Sequence, residues 1–202
     1  VKVWSYSSGF CFATFSDHQA PVTAVACARN VVFSASRDGT VRAYDLRRYR
    51  QFRIFKAPPP RAASNVSSTS EPGAPLVSLT VDADAELVCA GGDEPYEVYV
   101  WSVRSGQLLD ALAAHEGPVC ALALDPRGGG GLASGSWDKT IKVWDAGARF
   151  CGLSMPCKSC LALAALQDGC IAGTAALVVL RSCCSGCRVA LNLRTLLSLI
   201  HI

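Results

Sequence analysis

The stretch SGSWDKTIKVWD, Ser134 to Asp145, decides how the rest of the chain is read. A run of small residues ends at Asp138, a tight turn follows, and apolar and polar residues then alternate up to Trp144. Alternation with a period of two marks a strand with one buried face, and the polar break before it marks a turn from a preceding strand. Two other stretches repeat the pattern: SASRDGTVRAYDL (34–46) and AGGDEPYEVYVWSV (90–103). The opening VKVWS copies its last part. The aromatic markers are Trp4, Tyr44, Trp101 and Trp144, at intervals of 40, 57 and 43 residues.

Upstream of each small-residue run lies an alternating strand: PVTAVAC (21–27), PLVSLTV (75–81) and PVCALAL (118–124). Ahead of each of those comes another: FCFATF (10–15), FRIFKA (52–57) and QLLDAL (107–112). The reading is an all-β fold over 1–146: three sets of four strands plus one leading strand, with repeats at about 10–46, 52–103 and 107–146. A four-strand unit recurring every 40–45 residues is the signature of a β-propeller blade, because one such unit cannot bury both its faces alone. The long middle interval is explained by an insertion over 57–74, rich in proline and serine and poor in apolar residues, which is expected to be a loop.

Composition divides the chain at the same place. All 16 aromatic residues lie within 1–150, and the 15 acidic and 15 basic residues there cancel. The net charge of +3 therefore belongs to the last 52 residues, which excludes a uniformly basic nucleic-acid binder and an acidic-tail protein. The opening residues carry no signal-peptide pattern and read as the interior of a longer chain. The longest uninterrupted apolar run, Cys170 to Leu180, is 11 residues, short of a bilayer span, so no membrane association is expected. Without a secretory context the cysteines are read as reduced thiols.

Residues 147–202 form a Cys/Leu/Ala-rich tail without aromatics beyond Phe150. It is expected to be irregular or weakly helical, and to be an aberrant or alternative carboxyl end, since its composition resembles GC-rich sequence translated out of frame. Cys157, Cys160, Cys184 and Cys187 are two Cys-x-x-Cys pairs, and four thiolates at that spacing are a weak alternative reading as a Zn²⁺ site. The favoured reading has no metal, no cofactor and no small-molecule substrate.

Ser, His and Asp occur together, which raises the question of a hydrolase. A catalytic triad is a single constellation with an accessible nucleophile. Here His18, Ser34 or Ser36, and Asp38 are repeated as His115, Ser134 or Ser136, and Asp138. Recurrence on the structural period favours a scaffold role, and no enzyme is expected. The glycine run 128–131 lacks the Lys-Ser/Thr of a phosphate loop and reads as a hairpin turn.

The most distinctive surface stretch is VRAYDLRRYRQFRIFK (41–56). Arg42, Arg47, Arg48, Arg50, Arg53 and Lys56 face one acid, Asp45, with Tyr49, Phe52 and Phe55 between them. Arginine pairs with phosphates and carboxylates and stacks on aromatic planes, so RNA or an acidic partner is one reading. In the other, Phe52 and Ile54 point into the blade and the arginines are merely solvated.

These repeats resemble the WD-repeat family. VKVWSYSSGF, SASRDGTVRAYDLRRYRQFR and VWSVRSGQLLDALAAHEGPV with SGSWDKTIKVWD are similar, more specifically, to its periodic tryptophan branch. The resemblance implies that His115, Ser134 or Ser136, Asp138 and Trp144 form a buried hydrogen-bonded chain. His18, Ser34 or Ser36, Asp38 and Tyr44 would form a second. The middle repeat keeps Asp93 and Trp101 but lacks the histidine, so packing is expected to hold it. The resemblance further implies a non-catalytic scaffold of the small-subunit processome in the nucleolus. It would work within the U3 small nucleolar ribonucleoprotein in pre-rRNA processing, with other WD-repeat proteins and small nucleolar RNA or pre-rRNA as partners. The alternative is an interaction adaptor outside the nucleolus, in a ubiquitin-ligase or trafficking complex.

Overall fold

A computed structural model describes residues 1–59, 73–125, 131–145, 150–156 and four short strands between 163 and 190. Every regular element among the described residues is a strand. β1 (Lys2–Trp4) and β2 (Cys11–Thr14) make a two-stranded sheet. The second sheet is β3 (Val22–Ala28), β4 (Val31–Ser36), β5 (Thr40–Asp45) and β6 (Arg50–Lys56), in that order. The third is β7 (Leu76–Val81), β8 (Leu87–Gly92), β9 (Glu97–Ser102) and β10 (Leu108–Ala113), and the fourth is β11 (Ala121–Leu124), β12 (Gly131–Gly135), β13 (Thr140–Asp145) and β14 (Phe150–Pro156). All neighbours within these sheets are antiparallel.

Sheet and sequence repeat are offset by one strand. FCFATF, first in its repeat, pairs with the leading VKVW as the outer strand of the preceding sheet. FRIFKA and QLLDAL do the same for the second and third sheets. Each repeat therefore spans two sheets, so covalent continuity ties neighbours together.

Period-two alternation explains why these segments fold only when stacked. On β8, Val88 and Ala90 face the second sheet, whereas Cys89 faces the fourth. On β9, Tyr99 and Trp101 join the first of those cores and Val98 the second. A strand with both faces buried needs a sheet on either side. The innermost strands follow one another, with β3 against β7 and β7 against β11, as in consecutive propeller blades.

The sheets are also joined by polar contacts. Thr23 Oγ1 donates to the Leu76 carbonyl (2.9 Å), and Ser78 Oγ to the Val119 carbonyl (2.6 Å). Gly91 sits at the second joint. A Cβ there would lie 2.4 Å from Ser78 Oγ and 2.6 Å from the Val119 oxygen, so only glycine fits. Gly91→Ala is expected to cost about 1–3 kcal/mol of stability, read as a lower urea midpoint. An unchanged midpoint would mean that this joint carries no strain.

Beyond residue 146 the structure differs from the expected irregular or weakly helical tail. The described residues there are strands, and β14 pairs with β13 as the outer strand of the fourth sheet. β13 otherwise presents a row of unpaired backbone groups, and any segment able to extend satisfies them. β15 (Leu163–Ala165) pairs with β16 (Ile171–Gly173), and β17 (Val179–Arg181) with β18 (Arg188–Ala190). Positions 60–72 of the insertion, most of the 128–131 glycine run, and Cys157, Cys160, Cys184 and Cys187 lie outside the described residues. No helix among the described residues is long and apolar enough to cross a membrane.

Candidate functional site

The turn before β13 builds a polar brace. Trp144 Nε1–H donates to Ser134 Oγ (2.8 Å), Ser134 Oγ meets His115 Nε2 (2.8 Å), and His115 Nδ1 meets Asp138 Oδ2 (2.7 Å). The carboxylate only accepts, so Nδ1 carries the ring proton and Nε2 is left to accept the serine O–H. Asp138 also accepts from the Glu116 N–H, the Thr140 N–H and the Thr140 hydroxyl. The result pins the segment entering β11 to the β12–β13 turn.

The second sheet repeats this geometry. Ser34 Oγ meets His18 Nε2 (2.7 Å), His18 Nδ1 meets Asp38 Oδ2 (2.8 Å), and Thr40 donates to Asp38 through its N–H and its hydroxyl. Tyr44 takes the place of the tryptophan and stacks on Phe15 (centroids 4.2 Å apart). The choice between serines is resolved by register. Ser34 and Ser134 join the histidines. Ser36 and Ser136 instead donate to the Ala20 and Gly117 carbonyls and accept the Asp38 and Asp138 N–H groups.

Asp93 does not belong to such a chain. Val88 pairs with Trp101, as Val32 pairs with Tyr44 and Leu132 with Trp144. Counting from that register, Ala90 and Gly92 occupy the serine positions, Glu94 the aspartate position, and Asp93 the position of Arg37 and Trp137. Asp93 accordingly forms an ion pair with Arg37 of the neighbouring sheet (3.7 Å). Trp101 is held by ring contacts with Phe55 and Tyr99. Sequence reasoning missed Thr40 and Thr140, although Asp-x-Thr recurs at the same offset in both braced repeats.

The braces have the atom order of a hydrolytic triad but not its access. Ser34 and Ser134 are fully buried (0% exposed), and the Ser134 oxygen already holds the indole N–H. A nucleophile must be reachable.

Electrostatics follow from burial and bonding. Burial pushes the His115 imidazole pKa down, and the neighbouring Asp138 carboxylate offsets only part of this. For Asp138 burial acts upward, but the bonds from Thr140, the Glu116 backbone and His115 outweigh it and leave its carboxyl below the usual range; Asp38 behaves alike. The neutral ring is therefore the folded form. Its contribution to stability is full above the unfolded histidine value of about 6.5 and declines as pH falls below it. The aspartates contribute fully above about 3.9 and lose their contribution as pH falls through their lower folded values. Urea midpoints are expected to drop in two stages on acidification, and His115→Asn to flatten the first. An unaltered slope in the variant would place that stage elsewhere.

Lys139 occupies a left-handed turn conformation (φ 67°), where the second sheet has Gly39 (φ 75°). Lys139→Gly is expected to raise stability by about 0.5 kcal/mol in the same assay; a loss would show that the lysine side chain compensates.

The basic stretch divides in two. Arg47, Arg48, Tyr49, Arg50 and Lys56 are exposed. Arg42 and Arg53 are half-buried: Arg42 donates to Gln51 Oε1 (2.7 Å), and Arg53 lies against Gly106 of the next sheet. Phe52 and Ile54 do not point into the blade but are 44% and 40% exposed, whereas Phe55 is buried. Phe52 is the extra residue of a bulge, since Ala43 pairs with Arg53 and Tyr44 with Gln51, while Ile54 stays in register with Arg42 and alternates with the inward Phe55.

The WD domain, G-beta repeat family matches residues 9–45 and 106–145, the two stretches that carry the braces. The chain is a WD-repeat protein. Its relatives include periodic tryptophan protein 2 homologues. One from Dictyostelium discoideum is 47% identical over 149 residues, covering 72% of this chain and 15% of the relative. That of Saccharomyces cerevisiae is 47% identical over 146 residues, covering 71% and 14%. The chain thus spans about one seventh of these relatives' length. Among solved structures, U3-55K matches with a TM-score of 0.67 at 21% identity, covering 82% of this chain and 49% of that one. The RRP9 WD40 repeats match with 0.65 at 21%, covering 82% and 46%. At that identity these two likenesses speak for the fold alone.

Proposed function

We propose that this chain is part of a non-catalytic WD-repeat scaffold of the small-subunit processome, acting in the nucleolus in pre-rRNA processing and small-subunit assembly. The observation that carries the reading is the 47% identity to periodic tryptophan protein 2 homologues of both Dictyostelium and yeast across the repeat region. The structure supplies physical support. Its polar residues that resemble an active site are consumed in bracing turns, while rigid stacked sheets hold loops and outer strands in fixed positions for partners. Those partners are other WD-repeat proteins of the assembly and, through it, small nucleolar RNA or pre-rRNA. The test is to tag the protein at its own locus and follow its location and its co-sedimentation with unprocessed pre-rRNA. Nucleolar enrichment with sedimentation in large pre-ribosomal particles is expected. Exclusion from nucleoli with free sedimentation would overturn the reading.

A further inference from the structure

The outer strands of the first and second sheets, with the turn between β5 and β6, carry a group of exposed apolar side chains. Phe12 on β2 and Phe52 on β6 are both bulge residues, each the extra residue opposite the aromatic marker of its sheet: Trp4 pairs with Cys11 and Tyr44 with Gln51. A bulge re-aims its side chain, and here it leaves the two rings 47% and 44% exposed. Tyr49, at the β5–β6 turn, meets Phe12 edge to face with centroids 6.1 Å apart, so the turn and β2 share one surface. Ile54, paired with Arg42 one strand further in, adds an exposed aliphatic group on β6.

Cations accompany this cluster. Arg47, Arg50 and Lys56 are exposed and take part in no ion pair among the described residues. The one acid within the stretch 41–56, Asp45, accepts the Arg47 N–H (2.8 Å) and lies 3.9 Å from Arg48. Aromatic side chains and arginine are what protein interfaces concentrate, and the unneutralised cations call for a partner with carboxylates. A nucleic acid would use cations and open ring faces. It has less use for an aliphatic Ile54, or for a Tyr49 already engaged edge to face with Phe12.

We infer that Phe12, Tyr49, Phe52 and Ile54, flanked by Arg47, Arg50 and Lys56, form a docking surface for an acidic protein segment that carries apolar side chains. The inference stands on exposure and charge and is independent of the processome reading.

The test uses the full chain and three fluorescent probes. One is a 16-residue peptide of Glu, Asp, Leu and Phe, one an equally acidic peptide with Ser and Gln in place of Leu and Phe, and one a single-stranded oligouridylate. The apolar acidic peptide is expected to bind saturably and at least tenfold more tightly than the other two. Arg47→Glu/Arg50→Glu and, separately, Phe52→Ser/Ile54→Ser should each weaken it at least tenfold, with circular dichroism unchanged because the positions are exposed. Trp137→Ala, elsewhere on the surface, should leave binding intact. Equal binding of the oligouridylate, indifference to Phe52→Ser/Ile54→Ser, or no saturation below about 1 mM would each overturn the inference.

Discussion

Trp101→Ala is expected to lower the unfolding free energy of the chain by about 3–5 kcal/mol. The indole is 1% exposed, lies 5.7 Å from the Tyr99 ring and 6.1 Å from the Phe55 ring, and fills the core shared by the second and third sheets. That sheet has no histidine brace, so nothing polar takes up the load when the ring is removed. Its neighbours on β4, β5 and β8 are held by sheet hydrogen bonds and cannot collapse into the space, which is the condition for a large cavity cost. Urea denaturation followed by circular dichroism checks it, and Trp101→Phe should cost clearly less. A loss under about 1 kcal/mol for the alanine variant would mean the two sheets are not joined through this residue.

The second large effect separates two aspartates that look alike in sequence. Asp138→Ala removes the acceptor for His115 Nδ1–H, the Glu116 N–H and the Thr140 N–H at once. Stranding the buried His115 ring donor together with two more accessible backbone donors is expected to cost roughly 3 kcal/mol, at about 1–3 kcal/mol for a buried group left without a partner. Asp93→Ala should cost no more than about 1 kcal/mol, because it breaks only a 3.7 Å ion pair with the exposed Arg37. Equal losses at the two sites would contradict the register that places Asp93 outside a brace. The same assay at pH 8 and pH 5 adds a second check, since Asp138→Ala also removes the partner that holds the His115 ring.

Much of this molecule was legible in its residues because strand alternation and turn chemistry are local. The markers Trp4, Tyr44, Trp101 and Trp144 and the apolar alternation before them locate the strands through β13. The paired recurrence of His18 and His115 with Ser34, Ser134, Asp38 and Asp138 made a structural role more economical than catalysis. Local pattern does not say which of two serines points at a histidine, because Ser34 and Ser36 share one side of the strand and differ only in what lies across from them. Nor does it reveal a bulge, which is a mismatch between two strands, not a property of either. That mismatch leaves Phe52 as an extra residue at the surface, whereas Ile54 faces outward because it is paired with Arg42 and alternates with the buried Phe55.

The amino-acid sequence alone determined the strand order, the repeat period and the residue types able to make two braces, since each depends on spacing along one chain. Tertiary structure decided which hydroxyl joins each brace, that Asp93 reaches across to Arg37, that the outer strand of each of the first three sheets comes from the next repeat, and which half of the arginine-rich stretch meets solvent. Those outcomes depend on pairing between segments far apart in the chain, where register and not residue type chooses the neighbour.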